Sequence, residues 1–143
     1  MDAIVLIADN DPKRRDVLRH FFWESGFLVA TAAQAVDCLD ELAGLDPDVL
    51  VIDAELPGGI EAIIARASRS RRISNKPILL VIGQTPAESL SARSGVPVGN
   101  CFEYPVRADD LLDRAGIELA LRLLRFGERT ANRLPVRTPQ LVP

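Results

Sequence analysis

The fold class predicted by this sequence is α/β, a doubly wound parallel sheet with helices on both faces. Three observations predict it. Short apolar runs rich in β-branched residues recur along the 143 residues. Each is too brief for a helix and reads as a strand buried on both faces. Between them lie stretches with apolar residues at helical spacing, and five such alternations call for right-handed crossovers onto one parallel sheet. The chain is 48% hydrophobic and 26% charged, ordinary values for a packed domain of about 150 residues.

The elements follow in order. Ile4 to Ala8 reads as the first strand. Asp11 is a good helix N-cap, and Pro12 suits the first helical position, where its absent N–H costs nothing. Val17, Leu18, Phe21 and Phe22 mark that helix, and Gly26 ends it. Phe27 to Ala30 is a short second strand, and Ala32, Val36, Leu39 and Leu42 predict a second helix, up to Gly44. Asp46-Pro47-Asp48 breaks the pattern before Val49 to Ile52, a third strand ending in Asp53. Leu56-Pro57-Gly58-Gly59 reads as a loop, and Ile60, Ile63, Ile64 and Ala67 as the third helix. Pro77 to Ile82 is the strongest strand, and Thr85-Pro86-Ala87-Glu88 predicts a capping box at the fourth helix. Val98 to Tyr104 is a weaker fifth strand, followed by a helix carrying Leu111, Leu112, Ala115, Leu119 and Leu123. The globular domain is expected over residues 1–125, and the periodless, proline-bearing residues 126–143 as a flexible tail.

Several function classes are disfavoured. Seventeen Lys+Arg against twenty Asp+Glu give a net charge of −3, so no global field draws the chain to nucleic acid or an anionic membrane. No apolar run approaches the roughly 20 residues that span a bilayer. The acidic start, Met1-Asp2-Ala3-Ile4, is unlike a secretory signal, and two cysteines, Cys38 and Cys101, suit a reducing compartment. A cytoplasmic location is therefore expected. A single histidine and the lack of any CxxC or HExxH pattern leave little material for zinc. No glycine-rich loop follows the first strand, so a dinucleotide or P-loop site has poor support. No nucleophile and base stand in an enzyme-like pattern, and catalytic turnover is not expected.

In open α/β sheets ligands bind beyond the carboxyl ends of the strands. The loops there carry Asp9-Asn10-Asp11, Asp53-Ala54-Glu55, Gly83-Gln84 and Tyr104-Pro105. With those residues in view, the chain resembles the receiver domain of bacterial two-component response regulators over about residues 3–125. Three stretches carry the resemblance: Val5 to Pro12, Pro47 to Gly58 and Pro77 to Val81. It implies the flavodoxin-like, CheY-like version of the fold, with strand order 2-1-3-4-5 and Asp9 beside Asp53. It also implies signalling by phosphorelay, in which a histidine kinase or phosphotransfer protein donates a phosphoryl group to an aspartate beside bound Mg²⁺.

Carried over position by position, the resemblance makes Asp53 the phosphoacceptor. The implied metal positions are Asp9, Asn10, Asp53 and Glu55, the last through its backbone carbonyl. Asn10 stands where a second acid is expected, Ile82 where a hydroxyl residue ends the fourth strand, and Tyr104 where a lysine precedes a proline. An amide keeps an oxygen for Mg²⁺ but removes a negative charge, so the ion is expected to bind weakly or not at all. Tyr104 can donate a hydrogen bond but carries no positive charge at neutral pH, and Ile82 has no donor. Both are degenerate switch positions, and phosphoryl transfer loses part of its electrostatic support.

Other residues have plainer readings. His20 reads as structural, Cys38 and Cys101 as small core residues. The basic stretch Arg66, Arg69, Arg71, Arg72 and Lys76, like Arg129, Arg133 and Arg137, reads as solvated charge. Two functions stand in view. One is a single-domain receiver that takes phosphate at Asp53 and signals to a downstream protein. The other is a pseudo-receiver, a docking module that works without phosphate. Membranes and nucleic acid are not expected partners, and a homodimer is compatible with either function.

Overall fold

Alternation along β1 (Ile4–Ala8) divides the core in two, because successive strand residues face opposite sides of a sheet. In the computed structural model of this chain, which describes residues 2–69 and 76–126, Val5 and Ile7 join one apolar cluster, and Leu6 and Ala8 the other. The same division runs through β3 (Val49–Asp53), while in β4 (Ile78–Gly83) Ile78, Leu80 and Ile82 join the first cluster and Val81 faces a third, smaller one. Together with β2 (Leu28–Ala32) and β5 (Cys101–Glu103), they form one parallel sheet of order β2-β1-β3-β4-β5.

Helices cover both faces. On one side, α1 (Pro12–Glu24) contributes Leu18 and Phe22, and α5 (Ala108–Phe126) contributes Leu111, Ala115 and Leu119. On the other, α2 (Ala35–Gly44) and α3 (Glu61–Ser68) bury Cys38, Leu42, Ile63 and Ala67. α4 (Ala87–Ser94) sets Leu90 against Ala54, Val81 and Cys101. Two glycines permit close approaches near the rim. Gly58 has φ +93°, and a Cβ there would stand 2.8 Å from that of Ala35 at the start of α2. A Cβ on Gly83 would meet the Leu90 side chain at 2.5 Å.

The fold class and strand order match the sequence reading, while several local expectations need correction. β2 runs Leu28–Ala32 rather than Phe27–Ala30, because Phe27 turns inward to meet Phe22 edge-on at 5.2 Å. Ala32 pairs with Ala8, so α2 begins only at Ala35, and Val36 is left 57% exposed. Val17 is 62% exposed, since Leu18 and Phe22, one turn apart, take the buried side of α1. Thr85 forms no capping box, because Pro86 takes the N-cap position of α4 and has no side-chain bond to offer. Residues Val98–Asn100 form a 3₁₀ turn rather than strand, held by Asn100 N–H to the Pro97 carbonyl at 2.8 Å and by Asn100 Nδ2 to the Leu79 carbonyl at 3.1 Å. Residues 127–143, Arg71 and Arg72 lie outside the described residues, so the expected tail and most of the basic segments do too. No helix among the described residues is long and apolar enough to cross a membrane.

Cys38 and Cys101 are both free and buried. Burial pushes the Cys38 thiol up to about 12 and also raises that of Cys101. Since the thiolate is the reactive form, the folded protein should resist an alkylating reagent at pH 8. Labelling should follow only on denaturation. Rapid labelling of the native protein, read by mass, would contradict the core placement of these residues.

Candidate functional site

β1 and β3 end side by side at the carboxyl rim, with Ala8 in register with Ile52, so the next residues bring two carboxylates together. Asp9 and Asp53 are nearly withdrawn from water, at 1% and 6% exposure. Buried charges persist only when paired and hydrogen-bonded. Each carboxylate is supplied first by the backbone of its own loop. Asp9 Oδ1 accepts from Asp11 N–H at 2.9 Å, and Asp53 Oδ1 from Glu55 N–H at 3.1 Å.

The principal partner of both acids is Arg14, a residue that the motif pattern of the sequence does not single out. Its Nε and Nη2 donate to the Asp9 carboxylate at 2.5 and 2.8 Å, a two-pronged pairing. The same Nη2 reaches Asp53 Oδ2 at 3.1 Å. Nη1 lies 3.4 Å from Asp11 Oδ2, and the guanidinium carbon sits 4.3 Å from the centre of the Tyr104 ring. Burial opposes the charge on Arg14, but its bond to Asp9 and the fields of Asp9 and Asp53 raise its pKa and keep it cationic. A signal for this contact is nevertheless present in the sequence. Asp11 caps α1 by accepting from Lys13 and Arg14 N–H, which puts Arg14 in the first turn. Helical side chains lean toward the N-terminus, and from there that lean carries Arg14 back over Asp9.

The remaining positions are distributed around this cluster. Asn10 is exposed and donates through Nδ2 to the Ala33 carbonyl at 3.1 Å, tying the first loop to the end of β2. Glu55 turns its side chain to Arg93 at 3.1 Å, and Arg93 also donates to the Ala54 carbonyl at 2.9 Å. Ile82, in register with Asp53, is fully buried, and its carbonyl accepts from Ala54 N–H at 2.7 Å. The Tyr104 ring lies against the Arg14 guanidinium, and its hydroxyl, on the side of Asp53, is the buried side-chain polar atom that has no well-formed hydrogen bond among the described residues. Burial and the charges of Asp53 and Asp9 raise its pKa further, so it remains a neutral phenol. His20 lies apart, exposed on α1 beside Glu24 at 3.5 Å.

The donor set does not fit a divalent ion. All four oxygens of Asp9 and Asp53 already accept hydrogen bonds, and a guanidinium fills the space between the carboxylates. Mg²⁺ needs a near-octahedral oxygen shell at about 2.0–2.1 Å, whereas here the oxygens that would face such an ion are turned to the cationic Arg14. No cluster of three or more His, Cys, Asp or Glu suited to a metal occurs among the described residues.

Comparison with known proteins points one way. A family model described as the response regulator receiver domain matches residues 5–95. Response regulator MprA of Mycobacterium bovis is 32% identical over 119 residues, covering 80% of this chain and 49% of that protein. Protein PetR of Rhodobacter capsulatus is 32% identical over 77 residues, covering 54% of this chain and 32% of its own. The chain thus spans about half the length, or less, of the curated relatives it matches. Among solved structures, a CheY-like receiver domain protein from Methanospirillum hungatei superposes with a TM-score of 0.71 at 20% identity, over 87% of this chain and 99% of that one. A receiver protein from Sinorhizobium medicae gives a TM-score of 0.70 at 22% identity, over 85% and 97% of the two chains. At such identities the structural likeness speaks for the fold.

Proposed function

The chain belongs to the response regulator receiver domain family, and from that premise we propose that it relays two-component signals by protein contact, with Asp53 as the phosphoacceptor position. The observation that carries this reading is the placement of Asp53, buried at the carboxyl end of β3 beside Asp9. A histidine kinase or phosphotransfer protein would be the donor. An Asp53 oxygen would form the new bond to phosphorus as the bond from phosphorus to the donor breaks, leaving an acyl phosphate. A downstream protein would read the result.

The site supports slow transfer and a small response. Burial foremost, and the charge of Asp9, raise the Asp53 pKa, while Glu55 N–H and Arg14 lower it. Arg14 already holds the Asp53 carboxylate, and a phosphate could shift the fold only through contacts that differ between two states. Ile82 has no hydroxyl for such a contact, and Tyr104 has no charge. These features favour a second reading, a docking module that works without phosphate.

Intact-mass measurement after incubation with a small phosphodonor separates the two. A phosphoryl gain in the parent that is lost in Asp53→Asn supports the receiver reading. No gain, with an unchanged partner interaction in Asp53→Ala, supports the docking module. The amide spectrum of the parent should change little with the phosphodonor, whereas Ile82→Thr with Tyr104→Lys should show changes reaching α4 and β5. Equally large changes in the parent would return it to the ordinary switches.

A further inference from the structure

We propose that Arg14 is a built-in cation that takes the place of a divalent metal between Asp9 and Asp53, making the carboxylate rim of this receiver metal-independent. The surroundings of the guanidinium point to this role. Its three nitrogens reach Asp9, Asp11 and Asp53, and the Tyr104 ring lies 4.3 Å from its carbon. A planar cation with a fixed fork of donors suits this enclosure, because it pairs with carboxylates and stacks on an aromatic face at once. An ion binding between Asp9 and Asp53 would have to displace the guanidinium or share the rim with its positive charge.

Two departures from the family pattern, and the placement of Arg14 itself, agree with this arrangement. At position 104 a tyrosine offers Arg14 a ring to lie on, where a lysine would add a second positive charge. At position 10 the amide is engaged with the Ala33 carbonyl. An acid there would add negative charge to a rim in which Arg14 already faces Asp9, Asp11 and Asp53. Position 14 itself lies in the first turn of α1, where the Asp11 cap fixes the backbone that aims the side chain. The cation is thus held by covalent attachment and does not depend on ion concentration.

Neutralisation of the rim by Arg14 stands or falls separately from phosphate uptake at Asp53. The test is Mg²⁺ alone, followed by calorimetric titration and by melting temperature. The parent should show no saturable binding and no rise in melting temperature at 10 mM Mg²⁺. Asn10→Asp should behave nearly the same, whereas Asn10→Asp with Arg14→Met should bind at least about tenfold more tightly, the effect of some 1.4 kcal/mol. Binding by the parent that is lost in Asp9→Asn would overturn the proposal. So would equal affinity of Asn10→Asp with and without Arg14. If the Met variants fail to fold, the Arg14 side-chain N–H resonance of the parent, assigned with Arg14→Lys, replaces them. It should stay sharp and unmoved by 10 mM Mg²⁺, and displacement or broadening would refute the assignment.

Discussion

Replacing Arg14 by methionine should destabilise the protein by about 3 kcal/mol at pH 7, the lower end of the cost of removing one partner from a buried ion pair. The lower end applies because the Arg14 side chain is 29% exposed, so water would reach part of the vacated space. The two acids left behind are almost fully buried, and neither has another basic side chain among its hydrogen-bond partners in the described residues. The loss should depend on pH. Burial and Asp9 already raise the Asp53 pKa above its ordinary 3.8, and Arg14 is one of the influences that lower it. Without Arg14 the folded-state value rises further above the unfolded one. Folding then favours the protonated form, so stability falls as pH rises from about 4 toward 7. Chemical denaturation of parent and variant at both pH values should show a gap that narrows on acidification. A gap under about 1 kcal/mol with no pH dependence would mean that the bridge is incidental.

Phe22→Ala should cost about 3–5 kcal/mol, the usual range for emptying a buried aromatic site. Phe22 is fully buried, and its ring meets that of Phe27 edge-on, at 85° and 5.2 Å between centroids. Such a pair adds roughly 0.5–1.5 kcal/mol beyond area burial. Phe22 also ties α1 to the sheet, so the vacated volume lies behind the helix that positions Arg14. No titratable group is removed, and the loss should be similar at pH 4 and pH 7. That contrast separates loss of packing from loss of charge. A cost below about 1 kcal/mol would indicate that the α1 face repacks with little penalty.

Elements with strong local signals are legible in the chain itself. The buried strands are readable from the unbroken apolar runs Ile4–Ala8 and Val49–Ile52, and the start of α1 from Asp11 and Pro12, because each signal is confined to a few neighbouring residues. Weak or competing signals mislead. Val98 has the look of strand, but Pro97 and the Asn100 side chain impose a tight turn there. Val17 has the look of core, yet the burial of α1 runs through Leu18 and Phe22.

Local periodicity is enough to specify the succession of strands and helices, the burial of the central strands and the arrival of Asp9 and Asp53 at strand ends. Each of these is encoded over one or two turns of chain. The pairing of one guanidinium with both acids is a product of tertiary assembly. Arg14 and Asp53 are 39 positions apart, and their contact exists because β1 and β3 pair with Ala8 opposite Ile52. Tyr104 joins them from the far end of β5. Charge pairing across strands depends on register and on the direction a helix side chain leans. A single chain read in order carries those distances only implicitly.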